Sequence, residues 1–189
     1  MKGEKSMKTM RNAFVGMGMA VWIAVAAMIP AAAAAEFTPL DISVRMGFDA
    51  DSTLEYFHLY EINGRVGLPP HLEWGGGWSL KSALVIAGSL LHAAGDDGLM
   101  VGVGPQLELE FPWRPLTAFG SVRPSALSDH RYGQADLGGW FAFSSDLGLR
   151  INLSESLMIG YAWQHISNAN IYDSNPGVDF HVMELSLKF

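Results

Sequence analysis

From about residue 40 to its C-terminus this chain alternates apolar and polar residues with a period of two. The alternation runs in stretches of about ten residues split by Gly, Pro, Asn or Asp. Successive side chains of a strand point to opposite faces, so such a chain must build a sheet with one apolar and one polar face. No segment in this region holds a 3.6-residue apolar period, and none could cross a membrane as a helix. Eight strands are expected: Leu40–Asp49, Thr53–Leu68, Trp78–Leu91, Gly98–Phe111, Arg114–Ala126, Leu137–Asn152, Leu157–Ser167 and Asp179–Phe189.

The connections differ in character. Phe111-Pro112-Trp113-Arg114 and Asn152–Ser156 are tight, whereas Leu127–Asp136 and Asn168–Val178 are longer and polar. Short turns on one side and longer loops on the other are the habit of outer-membrane barrels. Only the long Leu68–Gly77 connection does not fit. The final segment is the most telling. Phe189, Leu187, Leu185 and Met183 share one face, while Lys188, Ser186 and Glu184 share the other. An apolar-out, polar-in strand ending on Phe resembles the terminal strand of bacterial outer-membrane proteins. The last strand of a soluble sandwich would alternate in the same way, but Trp and Tyr towards strand ends favour the membrane. The expected fold is therefore all-β, an eight-stranded antiparallel transmembrane β-barrel over residues 36–189, its lumen filled by side chains.

The N-terminus supplies an export signal. Lys2, Lys5, Lys8 and Arg11 precede an apolar stretch from Ala13 to Ile29, followed by Pro30 and the small-residue run Ala31–Ala35. This is the layout of a secretory signal peptide over residues 1–35, removed before Glu36; a retained anchor is the competing reading. The whole chain has 12 Lys+Arg and 19 Asp+Glu. Losing four bases and one acid leaves 8 and 18, a formal net charge of −10. An acidic chain lacks the clustered bases that phosphate neutralisation requires, so nucleic acid is excluded as a main partner. With no cysteine there is no disulfide framework, thiolate metal site or cysteine nucleophile.

Three polar residues fall on the wrong face. In the seventh segment Ile159, Tyr161 and Trp163 form the bulky, lipid-facing side, which continues to His165 and Ser167. In the eighth, the face of Phe189 and Leu187 continues back to His181 and Asp179. If neither strand is bulged, His165, Ser167 and Asp179 project towards lipid from neighbouring strands, where ionisable groups are expensive and point to function. With both termini periplasmic, all three lie near the external rim, at the level of the outer leaflet. A Ser becomes a nucleophile beside a base, and the base needs a carboxylate to fix its tautomer. The chemistry implied is acyl transfer from an ester at a lipid–water boundary. The plainer reading is that polar residues accumulate at wet strand ends.

The segment His165-Ile166-Ser167-Asn168-Ala169, followed by Asn175-Pro176-Gly177-Val178-Asp179, resembles the C-terminal signature of the lipid A 3-O-deacylases, the PagL family. The resemblance implies an eight-stranded outer-membrane barrel that hydrolyses the ester of the 3-position acyl chain of lipid A. It implies His165 as base, Ser167 as nucleophile, Asp179 as the acid and Asn168 at the oxyanion. Its substrate would be lipid A or lipopolysaccharide of the outer leaflet, with no cofactor and no metal. The family's acid is usually Glu; Asp179 is a methylene shorter, or ~1.5 Å.

Weaker signals read as structural. Gly102-Val103-Gly104 and Gly75-Gly76-Gly77 precede no helix, so close packing and a turn are expected rather than phosphate loops. His58, His71, His92, His130 and His181 are scattered, without metal-ligand spacing, and no acidic cluster has calcium-loop spacing. Arg123 and Arg131 are expected as solvated loop charges, or else as contacts to lipid A phosphates. Asn175-Pro176-Gly177 fits a type II turn that delivers Asp179 in phase. The rival reading from another class is a non-catalytic eight-stranded barrel with a structural or adhesion role.

Overall fold

The computed structural model describes residues 38–51, 54–113 and 115–189. The expected leader over 1–35, and Thr53 and Arg114 of the expected strands, lie outside the described residues. Among the described residues there are ten strands: β1 (Thr38–Asp49), β2 (His58–Trp74), β3 (Trp78–Ala93), β4 (Asp96–Glu110), β5 (Leu116–Leu127), β6 (Arg131–Tyr132), β7 (Ala135–Asp136), β8 (Phe141–Asn152), β9 (Leu157–Ser167) and β10 (Val178–Lys188). Eight close into an antiparallel barrel in the order β1-β10-β9-β8-β5-β4-β3-β2, while β6 and β7 form a separate hairpin.

The alternation works out as outside and inside. On the outer wall Ile42, Val44 and Met46 of β1, Leu147 and Leu149 of β8, and Met183, Leu185 and Leu187 of β10 are all exposed. An apolar belt on every side of a barrel is the surface that hydrocarbon solvates. The alternate positions point inward and are polar. Arg45 pairs with Glu61, Asp146 and Glu184; Arg123 with Glu61 and Asp146; Arg65 with Asp41 and Glu108; and Arg150 with Glu108 and Glu184. Arg123 is 1 % exposed, so it is neither a loop charge nor a phosphate contact: its inward phase takes it into the lumen. Above this ionic layer an apolar plug of Phe57, Leu59, Leu91, Met100, Tyr132 and Phe180 fills the barrel at one end.

That end carries the connections 50–57, 94–95, 128–140 and 168–177; the other carries 75–77, 111–115 and 153–156 together with both ends of the barrel chain. The awkward 68–77 stretch is resolved by β2 itself. A register shift between Leu68 and Leu72 lets the strand continue to Trp74, which pairs with Trp78. Gly76 (φ 87°) and Gly77 (φ 83°) then make the tight turn in a conformation other residues rarely adopt. An alternation count stops at a bulge, so the sequence pattern ends this strand at Leu68 although it continues to Trp74. The 127–136 connection, a long polar loop by its sequence, folds its own hairpin. That hairpin lies across the barrel mouth. The backbone N–H of Gln134 donates to Glu55 and that of Gly133 to Asp96, while Tyr132 is fully buried against Phe57.

Candidate active site on the outer wall

The site is built on the upper ends of β9 and β10. These strands pair without a register shift from Val178↔Ile166 to Leu187↔Leu157, and the β8–β9 register is equally regular. With no bulge, the outward phase set by Ile159 and Tyr161 carries unbroken to His165 and Ser167, and that of Leu185 and Met183 to Asp179. Ala162, Ile166, Val178, Phe180 and Val182 take the inward phase and pack in the apolar plug, giving the site a solid backing.

Register sets Asp179 directly opposite His165, and the imidazole Nδ1 lies 2.8 Å from Asp179 Oδ1. The short acid therefore reaches its partner. The same oxygen accepts a second hydrogen bond from the indole Nε1 of Trp163 at 3.1 Å. The Asp179 carbonyl is tied to the neighbouring loop by the backbone N–H of Ala50, at 2.8 Å. His165 is 6 % exposed although it faces outward. Gly177 (φ 70°) accounts for part of this cover, since a Cβ there would lie 3.1 Å from His165 Cε1. Its positive φ matches the third position of the expected type II turn, and the missing side chain lets the backbone lie over the ring.

Ser167 lies two residues beyond His165 on the same face and is half-buried. Among the described residues its hydroxyl has no hydrogen-bond partner, so the structure joins base and acid but does not close the contact from nucleophile to base. Such contacts are commonly loose without substrate. Across β8 the register sets Phe143 opposite Ser167 and Ser145 opposite His165.

Asn168 is placed differently from the expectation. It is fully buried, and its Nδ2 donates to the carbonyls of Leu137, at 2.8 Å, and Ser174, at 2.6 Å. Both amide hydrogens are thus committed, its backbone N–H donates to Asn175 Oδ1, and Oδ1 of Asn168 is buried without a partner. In this arrangement Asn168 braces the 168–177 loop against the 128–140 loop, a brace that Ser174 Oγ extends by donating to the Asp136 carbonyl. Two neighbours of the site go beyond the sequence signature: Trp163, which alternation alone makes lipid-facing bulk, and Ser145, the one hydroxyl on the outward face of β8. The signal for both was available, because each shares the outward phase and stands within one step of His165.

Among the described residues no group of three His, Cys, Asp or Glu could hold a metal ion. His181 stands opposite Trp163, with Nδ1 2.6 Å from the Tyr161 hydroxyl, and belongs to the same outward ladder.

Comparison with known proteins follows the same lines. The family model described as lipid A 3-O-deacylase (PagL) matches residues 59–188, which include all four candidate residues. Among solved structures, the chain resembles the outer membrane enzyme PagL with a TM-score of 0.69 at 16 % identity, covering 79 % of this chain and 99 % of that one. A de novo designed transmembrane β-barrel gives a TM-score of 0.51 at 11 % identity, covering 82 % of this chain and 98 % of that one. Neisserial surface protein A gives 0.50 at 9 % identity, over 80 % and 96 %. At these identities the structural likenesses establish the fold. Comparison with curated protein sequences finds no match.

Proposed function

This chain belongs to the lipid A 3-O-deacylase (PagL) family, and from that membership we propose that it hydrolyses the ester of the 3-hydroxyacyl chain at the 3-position of lipid A by a Ser-His-Asp mechanism. The observation that carries the reading is the bond from His165 Nδ1 to Asp179 on the outer wall, with Ser167 on the same face and phase. A carboxylate on Nδ1 fixes the tautomer that leaves Nε2 free as the base.

In the proposed reaction Nε2 of His165 takes the Ser167 proton as Oγ adds to the ester carbonyl carbon. Collapse breaks the bond to the sugar oxygen, which leaves with the proton returned by His165. Water, deprotonated by the same imidazole, then attacks the acyl-Ser167 ester and releases the hydroxy fatty acid. Asp179 orients the ring and stabilises the imidazolium formed at each step. For Asn168 to donate to the oxyanion its whole amide must leave the Leu137 and Ser174 carbonyls, so in this reading the side chain swings out of the loops when the ester binds. The end bearing the 168–177 loop faces the outside, which puts the scissile ester at the outer-leaflet rim, and residues 1–35 are removed on export.

Mass spectrometry of lipid A from cells producing the wild-type chain or Ser167→Ala tests the proposal. Loss of one hydroxyacyl chain with wild type only is the expected result. Unchanged lipid A with a wild-type barrel folded in the outer membrane would sink the hydrolase reading in favour of a structural barrel.

A further inference from the structure

On the outer wall a file of contacts runs down from the base: His165 Nδ1 to Asp179 Oδ1 and Trp163 Nε1 to the same Oδ1 by hydrogen bonds, Trp163 to His181 by a ring contact, and His181 to the Tyr161 hydroxyl by a hydrogen bond. The Trp163 and His181 rings meet edge to face at 5.0 Å between centroids and 88°. Resting on the esterase reading above, we infer that Trp163 is a positioning residue for that reaction, its indole N–H holding the Asp179 carboxylate in the rotamer that serves His165.

The argument starts from what an isolated Asp would do there. The Asp179 side chain is 26 % exposed at the rim, and a carboxylate with one partner can rotate towards water. A second donor on the same oxygen removes that freedom. An indole offers one N–H and accepts nothing, so it cannot compete with Asp179 for the His165 proton. Its direction is set by the cross-strand pairs: Trp163 stands opposite His181 and one outward step below His165, and the His181 ring, itself hydrogen-bonded to Tyr161, meets the indole edge to face. A Trp serving simply as an interfacial anchor would have no need to aim Nε1 at a catalytic acid.

The test is a double-mutant cycle in detergent or vesicles containing lipid A, using wild type, Trp163→Phe, Asp179→Ala and the double variant, with Ser167→Ala as the inactive control. Phe keeps an apolar ring and removes the N–H. Trp163→Phe is expected to lower kcat about tenfold, the size of one hydrogen bond to a charged acceptor, with KM little changed. In the Asp179→Ala background the same substitution should cost nothing further, because there is no carboxylate left to hold. Additive losses, or full activity in Trp163→Phe, would overturn the inference while leaving the esterase intact. An inactive wild type would overturn the esterase reading instead, and a readout without turnover keeps the two apart: the indole N–H proton resonance of Trp163 should move upfield in Asp179→Ala and stay in place in Ser167→Ala. An indole signal indifferent to Asp179 counts against the inference in either case. If Trp163→Phe does not assemble, benzothienylalanine at 163 replaces the N–H by sulfur in the same shape, and the same outcomes apply.

Discussion

At the scale of single residues, the reach of Asp179 decides whether this chain can work with the shorter acid. Asp179 faces His165 directly across the β9–β10 pair and already bonds it at 2.8 Å, with Trp163 on the same oxygen. The extra methylene of a Glu would add ~1.5 Å, and a misplacement of about 1 Å can cost on the order of a hundredfold in rate. Asp179→Glu is therefore expected to lose activity rather than gain it, although Glu is the usual residue in the family. Lipid A hydrolysis rates for the two proteins check this, and a faster Glu variant would show that the short acid is a handicap. Gly177 matters for the same reason. Its backbone lies over the imidazole in a conformation that costs other residues roughly 1–2 kcal/mol, so the loop that delivers Asp179 also covers His165.

The decisive element is the β6–β7 hairpin with its flanking loop, residues 128–140. It braces the site, through the Leu137 carbonyl on Asn168 and the Asp136 carbonyl on Ser174, and it closes the barrel mouth with Tyr132. Burial in the apolar plug, with the charges of Asp129, Asp97 and Asp96 nearby, pushes the Tyr132 phenol up to about 12 from an ordinary value of 10.0. The sign follows from linkage: the unfolded or detached phenol ionises first, so the contribution of this residue is complete below pH 10 and is lost as pH rises towards 12. A spin label on Gln134→Cys, the only cysteine in that variant, should gain mobility over that interval. With Tyr132→Phe added the alkaline gain should be absent; its persistence would assign the opening to other groups. At the acid end Asp136 behaves oppositely. The Gly138 N–H and the His130 side chain lower its pKa, so its hold on the loop is present above the usual carboxylate range and fades as pH falls through the depressed value.

For the whole molecule, the lumen ties the wall together. Arg45 pairs with carboxylates from β2, β8 and β10, and removing one partner of a buried ionic network strands the others. Arg45→Ala is expected to cost about 3–5 kcal/mol, read as a lower denaturant midpoint in urea; a change below about 1 kcal/mol would mean that water compensates the lumen. The proposed orientation has its own test, because the chain contains no cysteine. Asn170→Cys, in the 168–177 loop, should react with an impermeant maleimide on intact cells, and Ser154→Cys, in the opposite turn, should not. The reverse pattern would put the site at the inner face. Much of this protein was legible in its sequence. Alternation dictated strands because a period of two survives any packing, and it placed His165, Ser167 and Asp179 on one face before any coordinate. The Leu185–Phe189 end dictated an apolar exterior. Alternation says nothing of what stands beside what. A bulge that moves the end of β2 leaves the apolar pattern of its neighbours untouched, and the partner of an inward Arg123 lies on another strand. The second donor on Asp179 and the commitment of the Asn168 amide to two carbonyls are likewise contacts between segments distant along the chain. Sequence determined which face each side chain takes; the closing of the barrel and the packing of its loops decided which side chains meet, because register between strands is set by the whole sheet.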